Sequence, residues 1–223
     1  MDKISRMNKQ PPLTNNQQKL DQFHEFFAID YDFTLNIMPL DANKVTTYEQ
    51  FISNMPMPFK LASDMMTIDQ AALRPLQALT GVTGQLVDFL NHQSKKIDLL
   101  IGYILSQQDE DQHRYQGMKF GGGGVKFKAV SPFKLGQILE LKIFLLENNC
   151  AVYCYGEVIE VLEKIEETEV NQEKESPCEQ YEHKVVFHFI REDDREVLVR
   201  TSLHEQSKQL QKLSQLRNQN TDN

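Results

Sequence analysis

The chain has 223 residues, of which 40% are hydrophobic and 25% charged, enough for one sizeable core or two small ones. Its formal net charge of −8 argues against a nucleic acid polymer as partner, because phosphate-backbone binding requires a basic surface. The densest apolar run, Leu99–Leu105, is far shorter than the roughly 18 residues of a membrane span. The amino terminus lacks the apolar stretch of a signal peptide, so we expect a cytoplasmic protein without membrane insertion.

The first part of the chain predicts a tail followed by a strand. Residues 1–20 are rich in Asn, Gln and Lys and contain a proline pair, which predicts a disordered tail. Apolar and polar residues then alternate from Ile29 to Ile37, as in a half-buried strand. We assign residues 21–110 to an N-terminal region of strand, loop and long helix.

The next predicted element is a long helix with a seam of apolar or small residues. The intervals along the seam alternate between four and three, which is the period of a coiled coil. The seam positions are Ala72, Leu76, Leu79, Thr83, Leu86, Leu90, Gln93, Ile97, Leu100 and Ile104. Pro75, Gly81 and Gly84 interrupt the helix, so its continuous part is expected from Leu86 to Gln107. The stripe alone fits either a coiled coil or the core face of a helix packed on its own domain.

Three further observations favour a homo-oligomer, a dimer or a tetramer, over a monomer. Phe89, Leu99 and Tyr103 add apolar surface outside the seam. Gln93 is a polar seam residue, a device that fixes register or strand number. The same spacing returns near the carboxyl terminus, at Val199, Leu203, Gln206, Leu210 and Leu213. Two such helices beside one barrel are difficult to bury in a single chain.

A polar connector at residues 107–116 leads to a glycine run, Gly121–Gly124. Glycines allow backbone conformations closed to other residues and let a ligand or a second chain approach closely. Period-two alternation after the run predicts the strands of an antiparallel barrel. Residues 163–184 contain eight glutamates against three lysines, which predicts a solvated loop inserted between strands.

From Gly117 to about Leu203 the sequence resembles a PilZ domain, a small bacterial β-barrel whose members usually bind cyclic di-GMP. The likeness rests on the small-residue turn before a strand, the Leu135-Gly136 pair, the Gly156–Val158 strand, and a Phe-x-Phe strand that leads into a helix at Glu192. The resemblance implies an α+β fold. An antiparallel PilZ-like β-barrel would occupy residues 111–203, with a long heptad-bearing helix before it and a C-terminal helix and tail at 204–223.

The resemblance also implies where the ligand would bind. Family members that bind cyclic di-GMP carry an RxxxR motif upstream and a D/N-x-S-x-x-G motif at the turn. Here Lys119 stands at the Asp or Asn position, Gly121 at the Ser position, Gly124 at the final glycine, and Arg114 has no second arginine. The expected ligand-binding residues are Arg114, Lys119, Gly121, Gly123, Gly124 and Lys126. The competing interpretation of Arg114 is ion pairing with the neighbouring acids at 109–111.

No pattern of catalytic or metal-binding residues is present in the sequence. The three cysteines and six histidines lack metal-ligand spacing. The glycine run leads into a strand and lacks the residues of a P-loop or a dinucleotide fingerprint. The acidic residues are not paired on a shared element. We therefore expect no enzyme, metal or cofactor, with cyclic di-GMP as the possible ligand.

Two functions remain open at this point. The first is a bacterial PilZ-type signalling protein that binds cyclic di-GMP weakly or unconventionally and relays the event to a motility or biofilm partner. The alternative is a degenerate PilZ scaffold that no longer binds the dinucleotide and acts as an oligomeric protein-interaction module. The resemblance supports the first; the missing arginine pair, the altered turn and the heptads support the second.

Overall fold

The structure, a computed structural model, describes residues 15–41, 47–62, 64–65, 82–145, 150–165 and 179–221. Within these ranges no helix is both long enough and apolar enough to cross a membrane. Residues 57–62 are helical. The other elements in chain order are α1 (Asn15–Glu25), β1 (Ala28–Pro39), α2 (Tyr48–Asn54), α3 (Val82–Ser106), a 3₁₀ turn (Asp111–His113), β2 (Arg114–Gly121), β3 (Gly124–Ala129), β4 (Ile138–Leu145), β5 (Cys150–Ile165), β6 (Glu179–Phe189) and α4 (Glu192–Thr221).

Six strands form a closed antiparallel barrel in the order β1-β2-β3-β6-β5-β4, and β4 pairs back with β1. The alternation of side chains along the strands explains why the barrel has an apolar interior. In β1, Ile29, Phe33 and Leu35 are buried while Asp30 and Asp32 are exposed. The predicted α+β fold, an antiparallel barrel with a long helix and a C-terminal helix, is confirmed.

Strand β1 completes the barrel, which corrects the expected start of the barrel at residue 111. β1 pairs with β2 on one side, where Ala28 lies opposite Gly121, and with β4 on the other, where Pro39 lies opposite Leu139. Helices α2 and α3 are therefore an insertion between the first and second strands. The alternation in β1 predicted a strand but carried no information about its partner, because pairing depends on residues on the far side of the insertion.

The amino-terminal boundary also differs from the prediction. The predicted tail of residues 1–20 lies outside the described residues as far as residue 14, but residues 15–20 belong to helix α1. Phe23 of this helix packs with Ile159 and Val186 on the outside of the barrel, with Leu20 beside them. This apolar contact orders a segment whose composition is polar.

The carboxyl-terminal boundaries differ as well. Helix α4 begins at Glu192 and runs continuously through the expected boundary between residues 203 and 204. The expected acidic loop at 163–184 is shorter, because residues 163–165 belong to β5 and residues 179–184 belong to β6. The remainder of that loop and the part of the predicted long helix from Thr67 to residue 81 lie outside the described residues.

The apolar core has two parts, one inside and one outside the barrel. Inside, large side chains from all six strands fill the interior, among them Phe120, Phe127 and Phe187. Outside, α2, helical residues 57–62 and the end of α3 cover the faces of β4 and β5. The buried members of this outer cluster are Phe51, Met55, Phe59, Ala62, Leu105, Phe144, Ala151, Tyr153 and Tyr155.

Candidate functional site

The glycine turn, Gly121–Gly124, is buried by the protein's own residues. A Cβ added at Gly121 would collide with the Phe27 carbonyl oxygen, and one at Gly124 with the Val185 carbonyl oxygen. The close approach predicted for these glycines therefore occurs, but the approaching groups belong to the same chain. A left-handed backbone is not the reason for glycine here, because among the described glycines the positive φ is at Gly136 (77°).

Helices α1 and α4 cover this turn. The Arg195 guanidinium donates a 2.6 Å hydrogen bond to the Gly122 carbonyl oxygen and lies 5.3 Å from the centre of the Phe26 ring. The Phe187 amide donates a 3.0 Å hydrogen bond to the Gly123 carbonyl oxygen. A ligand could reach the glycine amides only if the helices above them moved.

Arg114 lies at the other end of β2 from the glycine turn. The eight residues of this strand separate the two by about 23 Å. Arg114 forms ion pairs with Asp109 (2.8 Å) and Asp111 (2.6 Å). Hydrogen bonding to Asp109 is the main cause of the raised pKa of the exposed Arg114 guanidinium. The structure does not bring Arg114 together with the other predicted ligand-binding residues.

Lys119 and Lys126 lie side by side on the outer surface of the barrel. Cross-strand pairing places Lys119 opposite Lys126, and Lys126 opposite Lys184 of β6. Lys119 pairs with Asp30 (3.2 Å) and Lys184 pairs with Glu160. No counter-ion of Lys126 lies among the described residues. We refer to Lys119, Lys126 and Lys184 as the lysine row.

Lys184 was not among the predicted ligand-binding residues. It lies in the segment that the sequence assigned to the acidic loop, and the eight glutamates there concealed the strand. A period-two pattern of aromatic and apolar residues, with one histidine, does occur at Tyr181, His183, Val185 and Phe187. That pattern could have extended the predicted strand, but only the barrel order places Lys184 beside Lys126.

Helix α3 exposes the predicted seam. The five apolar seam residues Leu86, Leu90, Ile97, Leu100 and Ile104 are 37–64% exposed, and Phe89, Leu99 and Tyr103 are 56–68% exposed. Against the described part of the chain, α3 packs through Ile101 and Leu105 near its carboxyl end. Among the described residues, these exposed side chains do not form the core face of a helix packed on its own domain.

A polar junction fixes the end of α3 to the barrel. It consists of Asn36, Asp109, Glu110 and Lys142. The Asn36 side chain donates to Asp109 (2.8 Å) and accepts from the Glu110 amide (2.8 Å), while Lys142 pairs with the Glu110 carboxylate (2.8 Å). The hydrogen bond from Lys142 is the main cause of the lowered pKa of Glu110. These contacts set the direction in which α3 leaves the barrel.

A neutral histidine closes the opposite part of the barrel interior. His183 stacks on Phe127 with ring centres 4.8 Å apart, and its Nε2 accepts a 3.0 Å hydrogen bond from the Phe133 amide. Its Nδ1 lies 3.1 Å from the Tyr181 carbonyl oxygen and must donate there, since that oxygen only accepts. Burial lowers the pKa of His183. This contact could not be predicted from the sequence, because Phe133 and His183 are 50 residues apart.

A closed six-stranded barrel with these flanking helices is the fold of a PilZ domain. Over 86% of this chain and 96% of the other, the structure is similar to a tetrameric PilZ protein of Xanthomonas campestris, with a TM-score of 0.50 and 11% sequence identity. At this low sequence identity, the structural similarity shows a shared fold and no more. No protein-family model and no curated protein matches the sequence.

Two further solved structures align over smaller parts of the chain. The PilZ domain of YcgR from Escherichia coli, solved with cyclic di-GMP, covers 48% of this chain and 83% of its own at 11% identity and a TM-score of 0.36. The Bacillus subtilis inhibitor of motility, MotI/DgrA, covers 43% of this chain and 42% of its own at 16% identity and a TM-score of 0.36.

Proposed function

We propose that the protein is a non-enzymatic PilZ-type interaction module of bacterial cytoplasmic signalling that works as a homo-oligomer assembled through α3. The observation that carries this proposal is the apolar surface of α3. Contiguous apolar surface of this kind is rare on monomers and marks protein-binding sites. The helix is about 37 Å long, and among the described residues its apolar contacts with the barrel lie near its carboxyl end, at Ile101 and Leu105.

The fate of the predicted ligand site supports the same proposal. The glycine turn is filled by the protein's own helices, and Arg114 is neutralised by Asp109 and Asp111. The described structure therefore offers no open turn with an arginine fork beside it. The Xanthomonas campestris PilZ protein is a tetramer that self-assembles through a helical bundle, which makes assembly through α3 a natural arrangement for this fold.

A charge on the seam tests the assembly. We expect Leu100→Asp to reduce the particle mass measured by light scattering to that of one chain, because the carboxylate would lose its hydration in the interface. Val130→Asp is the matched control, since Val130 is 77% exposed but lies outside α3, and its mass should equal that of the wild type. An unchanged mass for Leu100→Asp would reject α3 as the assembly surface.

A second candidate function is weak cyclic di-GMP binding with relay to a motility or biofilm protein. The observation that favours it is the lysine row, where Lys126 stands between two lysines that each have a carboxylate partner. Since no counter-ion of Lys126 lies in the part of the chain that the structure describes, its ammonium group would attract a phosphate group. The site would lie on the outside of β2, β3 and β6 and would not use Arg114 or the glycine amides.

Calorimetric titration with cyclic di-GMP tests this candidate, with cyclic di-AMP and GTP as controls. We expect Lys126→Ala to abolish any selective binding, whereas Lys134→Ala in an exposed loop should leave it unchanged. Binding that survives Lys126→Ala would exclude the lysine row as the site. The absence of heat with wild-type protein would leave the interaction module as the function.

A further inference from the structure

Between Leu86 and Ile104 the seam of α3 has one polar residue, Gln93, and that residue limits how two helices can pair. Gln93 lies between Leu90 and Ile97 on the stripe, and its side-chain amide has no hydrogen-bond partner among the described residues. Burying an amide without a partner costs about 1–3 kcal/mol. A helix that covers this stripe therefore has to supply a matching donor and acceptor at the level of Gln93.

Only one pairing of two copies does this. In heptad terms Leu86, Gln93 and Leu100 occupy d positions, and Leu90, Ile97 and Ile104 occupy a positions. When two such helices run antiparallel, each d residue faces an a residue, so Gln93 would meet Leu or Ile. When they run parallel and in register, Gln93 meets Gln93 of the second copy, and the two amides can pair.

Four of the five other seam residues from Leu86 to Ile104 agree with this arrangement, and Leu90, at an a position, is the exception. Ile at a and Leu at d favours parallel two-stranded coiled coils, and Ile97, Ile104, Leu86 and Leu100 follow this rule. The packing of α3 on the described barrel also leaves the seam residues exposed as far as Ile104, near the carboxyl end of the helix. Ile101 and Leu105 pack against the outer cluster of the barrel, whereas Leu100 and Ile104, each one position earlier, remain exposed.

We propose that α3 binds α3 of a second copy in a parallel, in-register pair centred on a Gln93–Gln93 contact, with both barrels at the same end of the pair. This inference rests on the proposed assembly through α3 and specifies its geometry. Because the polar junction and Leu105 hold each α3 against its own barrel, the pair would place the two barrels side by side.

Disulfide cross-linking of full-length protein tests the geometry. Leu86→Cys and Leu100→Cys are prepared separately, and protein without an added cysteine controls for the native thiols. In the parallel pair each new cysteine lies opposite the same cysteine of the second chain, within the Cα separation of about 5.5–6 Å that a disulfide needs. Both variants should therefore form covalent dimers on mild oxidation. Adding Gln93→Leu should reduce this cross-linked fraction several-fold, because the polar contact no longer selects the register.

Each other result identifies what is wrong. In an antiparallel pair, Leu86→Cys would form covalent dimers only when mixed with Ile104→Cys; this result would overturn the proposed geometry and leave assembly through α3 intact. Covalent dimers unaffected by Gln93→Leu would reject the role of Gln93. No cross-link in any combination, together with the mass of a single chain, would overturn both the geometry and the proposed function.

Discussion

At the scale of single residues, the glycine turn was correctly predicted to be a place of close approach, but the approaching group was not a ligand. Four consecutive glycines suggested a turn open to a ligand. In the structure, backbone and ring atoms of the same chain occupy the space where side chains would stand. The signal in the sequence was real, but sequence alone does not reveal which group makes the close approach.

The steric account of the turn predicts a large effect of a single methyl group. Gly121→Ala should destabilise the fold by about 3 kcal/mol, because the added Cβ meets a carbonyl oxygen that cannot move aside easily. Gly84→Ala is the matched control, since nothing lies within 4 Å of a Cβ there. It should stabilise helix α3 by about 0.5–1 kcal/mol. Urea denaturation measures both, and equal stabilities for the two variants would contradict the account.

His183 predicts a dependence of stability on pH. Because burial lowers its pKa in the folded state, the unfolded chain binds more protons below the ordinary histidine pKa of about 6.5. This contribution to stability is therefore present above that pH and is lost as the pH falls. His183→Gln keeps an acceptor for the Phe133 amide but does not titrate. Denaturation between about pH 7 and pH 5 should show a smaller loss of stability for the variant, and identical slopes would be inconsistent with a neutral buried imidazole.

The Glu140 carboxyl group should change the stability of the fold with pH in the direction opposite to His183. Burial raises its pKa, so the ionised form is disfavoured in the folded protein and ionisation reduces stability as the pH rises above the ordinary glutamate value. Glu140→Gln removes that charge at a similar size. Its melting temperature at neutral pH should exceed that of the wild type, and the difference should shrink on acidification. A lower melting temperature at neutral pH would show that the carboxylate stabilises the protein.

At the scale of secondary-structure elements, helix α1 is held to the barrel by a few contacts. Phe23 packs with Ile159 and Val186, and Lys19 pairs with Glu157 at 2.6 Å. Phe23 is 3% exposed, so Phe23→Ala removes most of the apolar contact of this helix. A loss of about 3 kcal/mol would allow α1 to open locally without unfolding the barrel.

Hydrogen exchange measures this opening directly. The α1 amides should exchange about 100-fold faster in Phe23→Ala, while the barrel amides keep their protection. Phe27→Ala provides the control, because Phe27 is 43% exposed and its approach to Gly121 is made by its carbonyl oxygen, which the substitution keeps. Uniformly faster exchange over the whole chain would mean that α1 and the barrel unfold as one unit.

Helices and strands were predicted well where the local spacing of apolar residues determines them. They were predicted less well where contacts between distant segments of the chain determine whether a segment is ordered or where a strand ends. The alternation in β1 and the seam of α3 were visible in the sequence, since each reflects a single buried or exposed face. The helix at Asn15–Glu25 was missed because its order depends on apolar residues in β5 and β6. The extent of β6 was missed because its outward face is charged.

At the scale of the whole molecule, the insertion of α2 and α3 between β1 and β2 determines how the protein can be used. The barrel closes without help from α3, so the helix is free to assemble with another chain. The same strand order separates the residues that were predicted to form the ligand-binding site. Strand β2 separates Arg114 from the glycine turn, while barrel closure brings Lys184 to Lys119 and Lys126. No local motif contains that arrangement.

Sedimentation equilibrium of the wild-type protein over a range of concentrations tests whether the chains assemble through α3. We expect a mass that is a multiple of the 25.9 kDa chain at micromolar concentrations, and a single chain for Leu100→Asp under the same conditions. A wild-type mass of one chain at every concentration would rule out this assembly, because the apolar surface of α3 would then remain exposed to water.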